Sequence, residues 1–253
     1  MIRGLVYGVK KFWSEITSGD LLILFLSIVL AVTAISSVGF LADRLQSSMK
    51  EQASVILGAD LTLRSASSLG ADYLSLAKTQ GLKTAETISF LSMAITDEDN
   101  LLSSIKATTK SYPLKGKLVI SKFNGELIDH EGSPPSGHLW VEEKISETLD
   151  LQQNGQLIIG NKTFVIDGII QNFPDQNSGF FGFYPTVIVN VDDLDAMGII
   201  QTGSRVVYRN LFAGTEENIN NFLAQLQDIP AEIRSQKSED VGEDLGEALE
   251  SST

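Results

Sequence analysis

Two Ser-x-x-Lys spacings, Ser47–Lys50 and Ser103–Lys106, come nearest to a nucleophile–base pair in this 253-residue chain. A serine attacks only when a desolvated lysine or another base takes its proton, and a third group must orient that base. Neither pair is followed by Ser-Asp-Asn or Lys-Thr-Gly; Lys50 falls on a helix, and Lys106 in a strand expected to be solvated. Gly116-Lys117 lacks the upstream glycine of a phosphate-cradling loop, and G-x-x-x-x-G-K-[ST] does not occur. The only histidines, His130 and His138, flank a Pro-Pro loop beside Asp129 and Glu131. That spacing is unspecific for a metal, and surface residues are the simpler reading. Asp192-Asp193 and Glu142-Glu143 suit the first turns of helices, where negative charge is favoured. Cysteine is absent, which removes thiol catalysis, cysteine metal sites and disulfides together. No catalytic, cofactor-binding or metal-ligating residue is assigned, and the chain is expected not to be an enzyme.

The elements that position these residues are organised around one stretch. Leu21 to Leu41 carries no charge and is bracketed by Asp20 and Asp43. As a helix it spans about 31 Å, the hydrocarbon thickness of a bilayer. Its hydroxyls (Ser27, Thr33, Ser36, Ser37) can bond back to carbonyls of the preceding turn. The apolar run continues through Val38, Phe40 and Leu41, past a possible cleavage point at Ala34-Ile35-Ser36, so a retained anchor is favoured over a cleaved signal peptide. Residues 1–19, with Leu5, Val9, Phe12, Trp13 and Ile16 at helical spacing beside Lys10 and Lys11, read as an interfacial amphipathic helix.

Charge restricts the partners. The net charge is −13; residues 1–41 contribute +1 (Arg3, Lys10 and Lys11 against Glu15 and Asp20), which leaves −14 for the remainder. That balance argues against nucleic acid and against a domain lying flat on anionic lipid. Arg3, Lys10 and Lys11 before the span favour a cytoplasmic N-terminus and an extracytoplasmic main domain.

Beyond the span, Leu41, Leu45, Met49, Ala53 and Ile56 recur at helical spacing up to Gly58. The stripe fits a stalk leaving the membrane and equally a core-packing helix of the domain. Short β-like runs and short helices then alternate irregularly: strands over residues 59–64, 83–95, 101–109, 117–123, 156–159, 162–170, 186–191, 205–212 and 231–234, and helices over 69–79, 142–149, 192–197 and 216–227. The fold class is α+β. Ser238 to Glu250 reads as a closing helix capped by Ser238, with Val241, Leu245 and Leu249 on one stripe. The organisation is therefore 1–19 interfacial helix, 20–57 transmembrane helix and stalk, 58–237 α+β domain and 238–253 return helix. Antiparallel pairing of the two stalks sets Leu45 near Leu249, Met49 near Leu245 and Ala53 near Val241.

Several stretches taken together resemble one family. They are AVTAISSVGFLADRL, LGADLTL at Leu57–Leu63, FLSM at Phe90–Met93, IKA at Ile105–Ala107, YPLKG at Tyr112–Gly116, DGIIQNFPD at Asp167–Asp175, and GIIQTGSRVVYRNLFAG from Gly198 to Gly214. In this order they resemble the N-terminal part of the YbbP-like permeases of bacterial ABC transporters, relatives of the MacB and FtsX permeases. The resemblance implies a first membrane helix, a MacB-like periplasmic core domain, further spans, a separate ABC ATPase subunit as partner, and an inner-membrane location. The chain ends at Thr253, where the family's second span is expected, so it reads as a truncated permease component coupling ATP-driven motion to export or extraction of a hydrophobic or lipidic substrate. The alternative is a single-span anchored binding or sensor domain.

Two features are candidate contacts with a partner or lipid. The loop Phe173–Tyr184 holds Phe173, Phe180, Phe181 and Phe183 among glycines; the rings either form an apolar surface patch or plug the core beneath the loop. Arg205, after Gly203-Ser204, either anchors a carboxylate or meets a partner.

Overall fold

The computed structural model describes residues 19–176, 180–201, 203–226, 230 and 232–242. Residues 1–18 of the expected interfacial helix 1–19, and residues 243–253 of the expected return helix 238–253, lie outside them. The chain divides into two compact units, Met1–Met49 and Lys50–Thr253.

The first unit holds most of helix α1 (Gly19–Leu57). Its apolar side chains are exposed: Phe25 is 64% accessible, Leu30 73%, Ile35 74% and Phe40 77%. A stripe of this kind is stable only against lipid or another apolar partner, and the segment is long and apolar enough to cross a membrane. Three hydroxyls bond back as the composition requires: Ser27 to Ile23 O at 2.8 Å, Thr33 to Val29 O at 2.7 Å and Ser37 to Thr33 O at 2.7 Å. The helix stops at Gly58, whose φ of +74° is open to glycine and costly for residues with a Cβ.

In the second unit the chain runs β1 (Leu61–Ser65), α2 (Ala71–Thr79), β2 (Lys83–Ile95), β3 (Asn100–Thr108), β4 (Leu118–Ser121), β5 (Leu127–His130) and β6 (His138–Glu142). It continues with α3 (Glu143–Thr148), β7 (Gln156–Ile159), β8 (Lys162–Asn172), β9 (Thr186–Asn190), α4 (Leu194–Met197), β10 (Val207–Ala213), α5 (Glu216–Gln225) and β11 (Arg234–Lys237). The observed class is α+β, with parallel pairs β3–β9 and β6–β8 in an otherwise antiparallel sheet.

Strand order is β11-β1-β10-β2-β3-β9-β6-β8-β4-β5, and β7 bridges β8 to β2 through Ala94↔Ile159 and Ile95↔Ile158. That bridge closes β2, β3, β9, β6, β8 and β7 into a hydrogen-bonded ring. Ring interior and exterior follow the two-residue period of a strand. Val187 and Val189 point in with Leu139, Val141, Ile105, Phe164 and Ile166, whereas Ile188 and Trp140 point out to a second cluster with Phe173. A bulge in β8 moves the partner of β6 from Ile166 to Gly168. One extra residue reverses the faces, so Ile166 lies inside while Ile170 joins the outer cluster. Each fully buried ring of this core, such as Phe164, contributes about 1.5–3 kcal/mol.

A third cluster packs α2 and α5 on the arm β1–β10, with Leu61, Leu63 and Phe212 against Ala77, Ile219 and Phe222. Differences from the sequence reading are local. β5 and β6 were not anticipated as strands, and the strand expected over 231–234 is β11 at Arg234–Lys237. Residues 238–242 are helical, directly after β11.

Candidate functional site

The strand carrying Lys106 is internal to the sheet, pairing with β2 on one side and β9 on the other, and Tyr112 and Phe173 cover the face from which the lysine projects. Lys106 is 5% accessible, a correction to the expected solvated strand. Its Nζ forms a salt bridge with Asp175 Oδ1. Arg209, on β10, binds Asp175 Oδ2 at 2.7 Å, and the Tyr112 hydroxyl donates to Asp175 Oδ1 at 2.8 Å. The Lys106 ammonium also lies over the Phe173 ring, 4.8 Å from its centroid, and over Tyr112 at 5.2 Å. Burial pulls the Lys106 ammonium below the ordinary lysine range, with Asp175 opposing and Arg209 adding to that pull. Burial first and the Asp175 charge second hold the Tyr112 hydroxyl well above its ordinary value, so it remains a donor.

The loop bearing Asp175 is fixed by main chain as well. Asp175 N donates to Ile56 O at 2.7 Å, and the one Tyr112 hydroxyl proton is shared between Asp175 Oδ1 and Pro174 O, the latter at 3.0 Å. Gly116, at φ +79°, sits where a Cβ would lie 3.1 Å from both Pro174 Cγ and Val55 Cγ1. A larger residue would push the 112–116 loop off its neighbours.

The dyad chemistry fails on geometry. Ser103 and Lys106 are three apart in a strand, hence on opposite faces. Ser103 Oγ donates to Leu101 O at 3.2 Å, and Lys106 Nζ is committed to Asp175. Among the described residues no cluster of three metal-ligating side chains occurs. His130 instead packs edge-on to Trp140, with ring centroids 4.6 Å apart. Asp193, buried at the start of α4, accepts hydrogen bonds from Ser136, Gly137 N (3.0 Å) and Lys162 (2.5 Å). Burial raises its pKa, but those donors outweigh it and leave the value below the ordinary 3.8.

The four phenylalanines of the aromatic loop divide. Phe173 and Phe181 are buried, at 4% and 8%, while Phe183 is 83% accessible. The Phe180 side chain lies outside the described set. Phe181 lines a pocket of about 170 Å³ with Phe90, Leu91, Ile199, Ile200 and Arg205, and Arg205 is exposed just before β10. Two of the rings are thus buried beneath the loop, and Phe183 is exposed.

Of the stalk residues, Leu45 is exposed, Met49 and Val241 are half-buried, and Ala53 is buried. Leu245 and Leu249 lie outside the described residues. What sequence reasoning missed is Asp60. Its Oδ1 accepts from Ser54 Oγ at 3.1 Å, its Oδ2 from Gly214 N at 3.1 Å and lies 3.5 Å from Lys115 Nζ, and its carbonyl accepts from Ser238 N at 3.0 Å. Lys50 binds Glu216 at 2.8 Å and also pairs with Glu239. The end of α1, the start of α5 and the segment after β11 therefore converge on two charged residues.

No protein-family model matches the chain. Over 213 residues it is 28% identical to the uncharacterized ABC transporter permease YbbP of Escherichia coli (strain K12), a match covering 84% of this chain. The likeness is to YbbP-type permeases. The matched part is 26% of YbbP, so the chain spans about a quarter of that relative. Among solved structures, the periplasmic region of MacB from Actinobacillus actinomycetemcomitans aligns with a TM-score of 0.48 at 8% identity, covering 75% of this chain and 94% of that one. The extracellular domain of the noncanonic ABC-type transporter YknZ from Gram-positive bacteria aligns at 0.46 and 12% identity, covering 68% and 90%.

Four of the seven stretches that resemble YbbP-like permeases supply Asp175 and the groups around it. IKA supplies Lys106, YPLKG supplies Tyr112 and Gly116, NFPD supplies Phe173 and Asp175, and YRNLFAG supplies Arg209. LGADLTL supplies Gly58, whose carbonyl accepts from Leu114 N at 3.1 Å. Lys106, Arg209 and Asp175 are each the single charged group of a strand or turn, and nothing in the sequence alone shows that they meet.

Proposed function

We propose that this chain is a non-enzymatic permease component of an ABC transporter, anchored by α1 with its α+β domain on the extracytoplasmic side of the inner membrane. The observation that carries the reading is the match to YbbP over 84% of the chain. In this reading a separate ABC ATPase, meeting parts of the permease that YbbP has and the matched region does not, drives the motion. The domain takes up that motion where Lys50 and Asp60 gather the end of α1 and the segment after β11. The cargo is hydrophobic or lipidic, and Phe183 with the Phe181–Arg205 pocket is the surface that meets it or a partner. The described apolar helix, exposed along Leu22–Leu41, supports the membrane anchor.

The orientation test uses the absence of native cysteine. Cysteine placed at Ser146 should react with a membrane-impermeant maleimide on spheroplasts, and cysteine at Ser14 should not. The reverse pattern overturns the orientation. For the activity, the purified chain should neither hydrolyse ATP nor cleave esters, and turnover lost on Ser103→Ala would overturn the non-enzymatic reading.

A further inference from the structure

In an acidic chain the positive charge is unevenly placed. Four of its 19 lysines and arginines line a single cleft of about 1010 Å³, against two of its 32 acidic residues. Lys78 comes from the last turn of α2, Lys83 opens β2, Lys110 follows β3, and Lys117 precedes β4. All four are exposed. Lys117 pairs with Asp129 on the cleft wall. Lys78, Lys83 and Lys110 form no salt bridge among the described residues.

The cleft is built rather than incidental. Ser111 Oγ donates to Thr84 O at 2.7 Å and ties two walls together. Gly132 N donates to Tyr112 O at 2.9 Å and ties in the third. Tyr112 is itself held by Asp175, and with Leu82, Pro113 and Leu114 it gives the cleft an apolar floor. Three ammonium groups without a salt bridge, against the one further carboxylate of Glu131, leave the cleft net positive, and an anion relieves their mutual repulsion.

We propose that this cleft binds a compact polyanion carrying more than one phosphate group, of the size of a phosphorylated sugar or a phosphorylated lipid headgroup. Lysine is a mobile point charge that follows clustered phosphate oxygens, and the cleft supplies its positive charge from lysine alone. The volume matches the upper end of small-molecule sites and exceeds what one inorganic ion fills. The apolar floor suits the ring of a sugar or cyclitol. The inference does not depend on the transport reading.

The test uses the full chain in nanodiscs of zwitterionic lipid, titrated calorimetrically with inositol hexakisphosphate. Saturable binding is expected, weakening as salt is raised. The double variant Lys83→Gln/Lys110→Gln should bind about tenfold more weakly, two charges being lost from the cleft. The control Lys122→Gln/Lys144→Gln, exposed lysines outside the cleft, should bind like the parent. Unchanged thermal unfolding of both variants separates lost binding from lost folding. Displacement of the probe by discs containing phosphatidylinositol bisphosphate assigns a lipid headgroup; binding that such discs leave intact assigns a soluble phosphate. Absence of saturable binding, or binding indifferent to Lys83→Gln/Lys110→Gln, overturns the proposal. Equal affinity for polyglutamate overturns the phosphate assignment in favour of an acidic peptide.

Discussion

Lys50 near the end of α1 is ion-paired with Glu239, 189 residues further along the chain. Glu216 takes the same ammonium at 2.8 Å, so one cation holds two carboxylates from separate elements. All three side chains are more than a third exposed, and the clasp is screened accordingly.

Lys50→Met should cost about 1 kcal/mol, mostly because Glu216 and Glu239 are left facing each other. Glu239→Gln added to it should recover part of the loss. Thermal unfolding of the full chain at low and high salt checks this: the penalty of Lys50→Met should shrink as salt rises, and a salt-independent penalty would contradict an electrostatic clasp.

The Asp175 cluster predicts an asymmetry. Asp175→Asn leaves Lys106 and Arg209 buried together without their carboxylate and should destabilise by about 3–5 kcal/mol. Lys106→Met leaves Asp175 with Arg209 and Tyr112, and should cost about 1–2 kcal/mol. Urea unfolding followed by the fluorescence of buried Trp140, which shares a cluster with Phe173, measures both. Equal losses would mean that Lys106 and Arg209 are not held by one acid.

Asp193 sets a pH dependence of known sign. Its folded pKa lies below the ordinary 3.8, so the folded state binds this proton less readily than the unfolded chain. The stabilisation is complete above the ordinary value and is lost as pH falls through the folded value. In Asp193→Asn the acid limb of the stability curve should flatten in that window, with about 2–3 kcal/mol already missing at neutral pH. An unchanged acid limb in the variant would remove Asp193 from the titration.

The aromatic loop separates plug from patch. Phe173→Ala, in a buried ring, should cost about 3–5 kcal/mol, whereas Phe183→Ala should stay within about 0.5 kcal/mol. The order should invert for surface hydrophobicity: Phe183→Ala lowers the binding of an apolar dye to the folded chain, and the conservative Phe183→Leu retains it. Dye binding untouched by Phe183→Ala would show that the ring faces no apolar ligand.

Legibility in the sequence tracked the range of the forces involved. The β2–β3 hairpin, the Gln156–Ile159 and Lys162–Asn172 hairpin, and the helix stop at Gly58 are local, set by alternation and turn chemistry, and were read closely. β5 and β6 are short strands beside a loop with two prolines, and their pairing with β4, β8 and β9 is what makes them strands. Periodicity marks Lys106 only as a polar residue in a strand, hence as solvated, whereas it is buried. Only the arrival of Asp175, 69 residues along the chain, itself paired with Arg209 a further 34 on, explains its burial. The split of the phenylalanines was likewise invisible, since composition alone does not say which ring of a loop faces inward.

The bridge of β7 between β8 and β2 carries a mechanical consequence. In an open sheet a pulled strand slides past one neighbour at a time. In the ring each strand is bonded on both sides, so displacing β3 along its axis strains β2 and β9 together. The ring therefore behaves as a stiff hub under load, and deformation concentrates in the two arms that hang from it, β10–β1–β11 and β4–β5. The first arm is also where Asp60 ties the end of α1 and Ser238 to β10. A tug on the segment after β11 is thus delivered to the compliant arm, whereas one on α1 also reaches β3 of the hub through Ile56, Asp175 and Lys106.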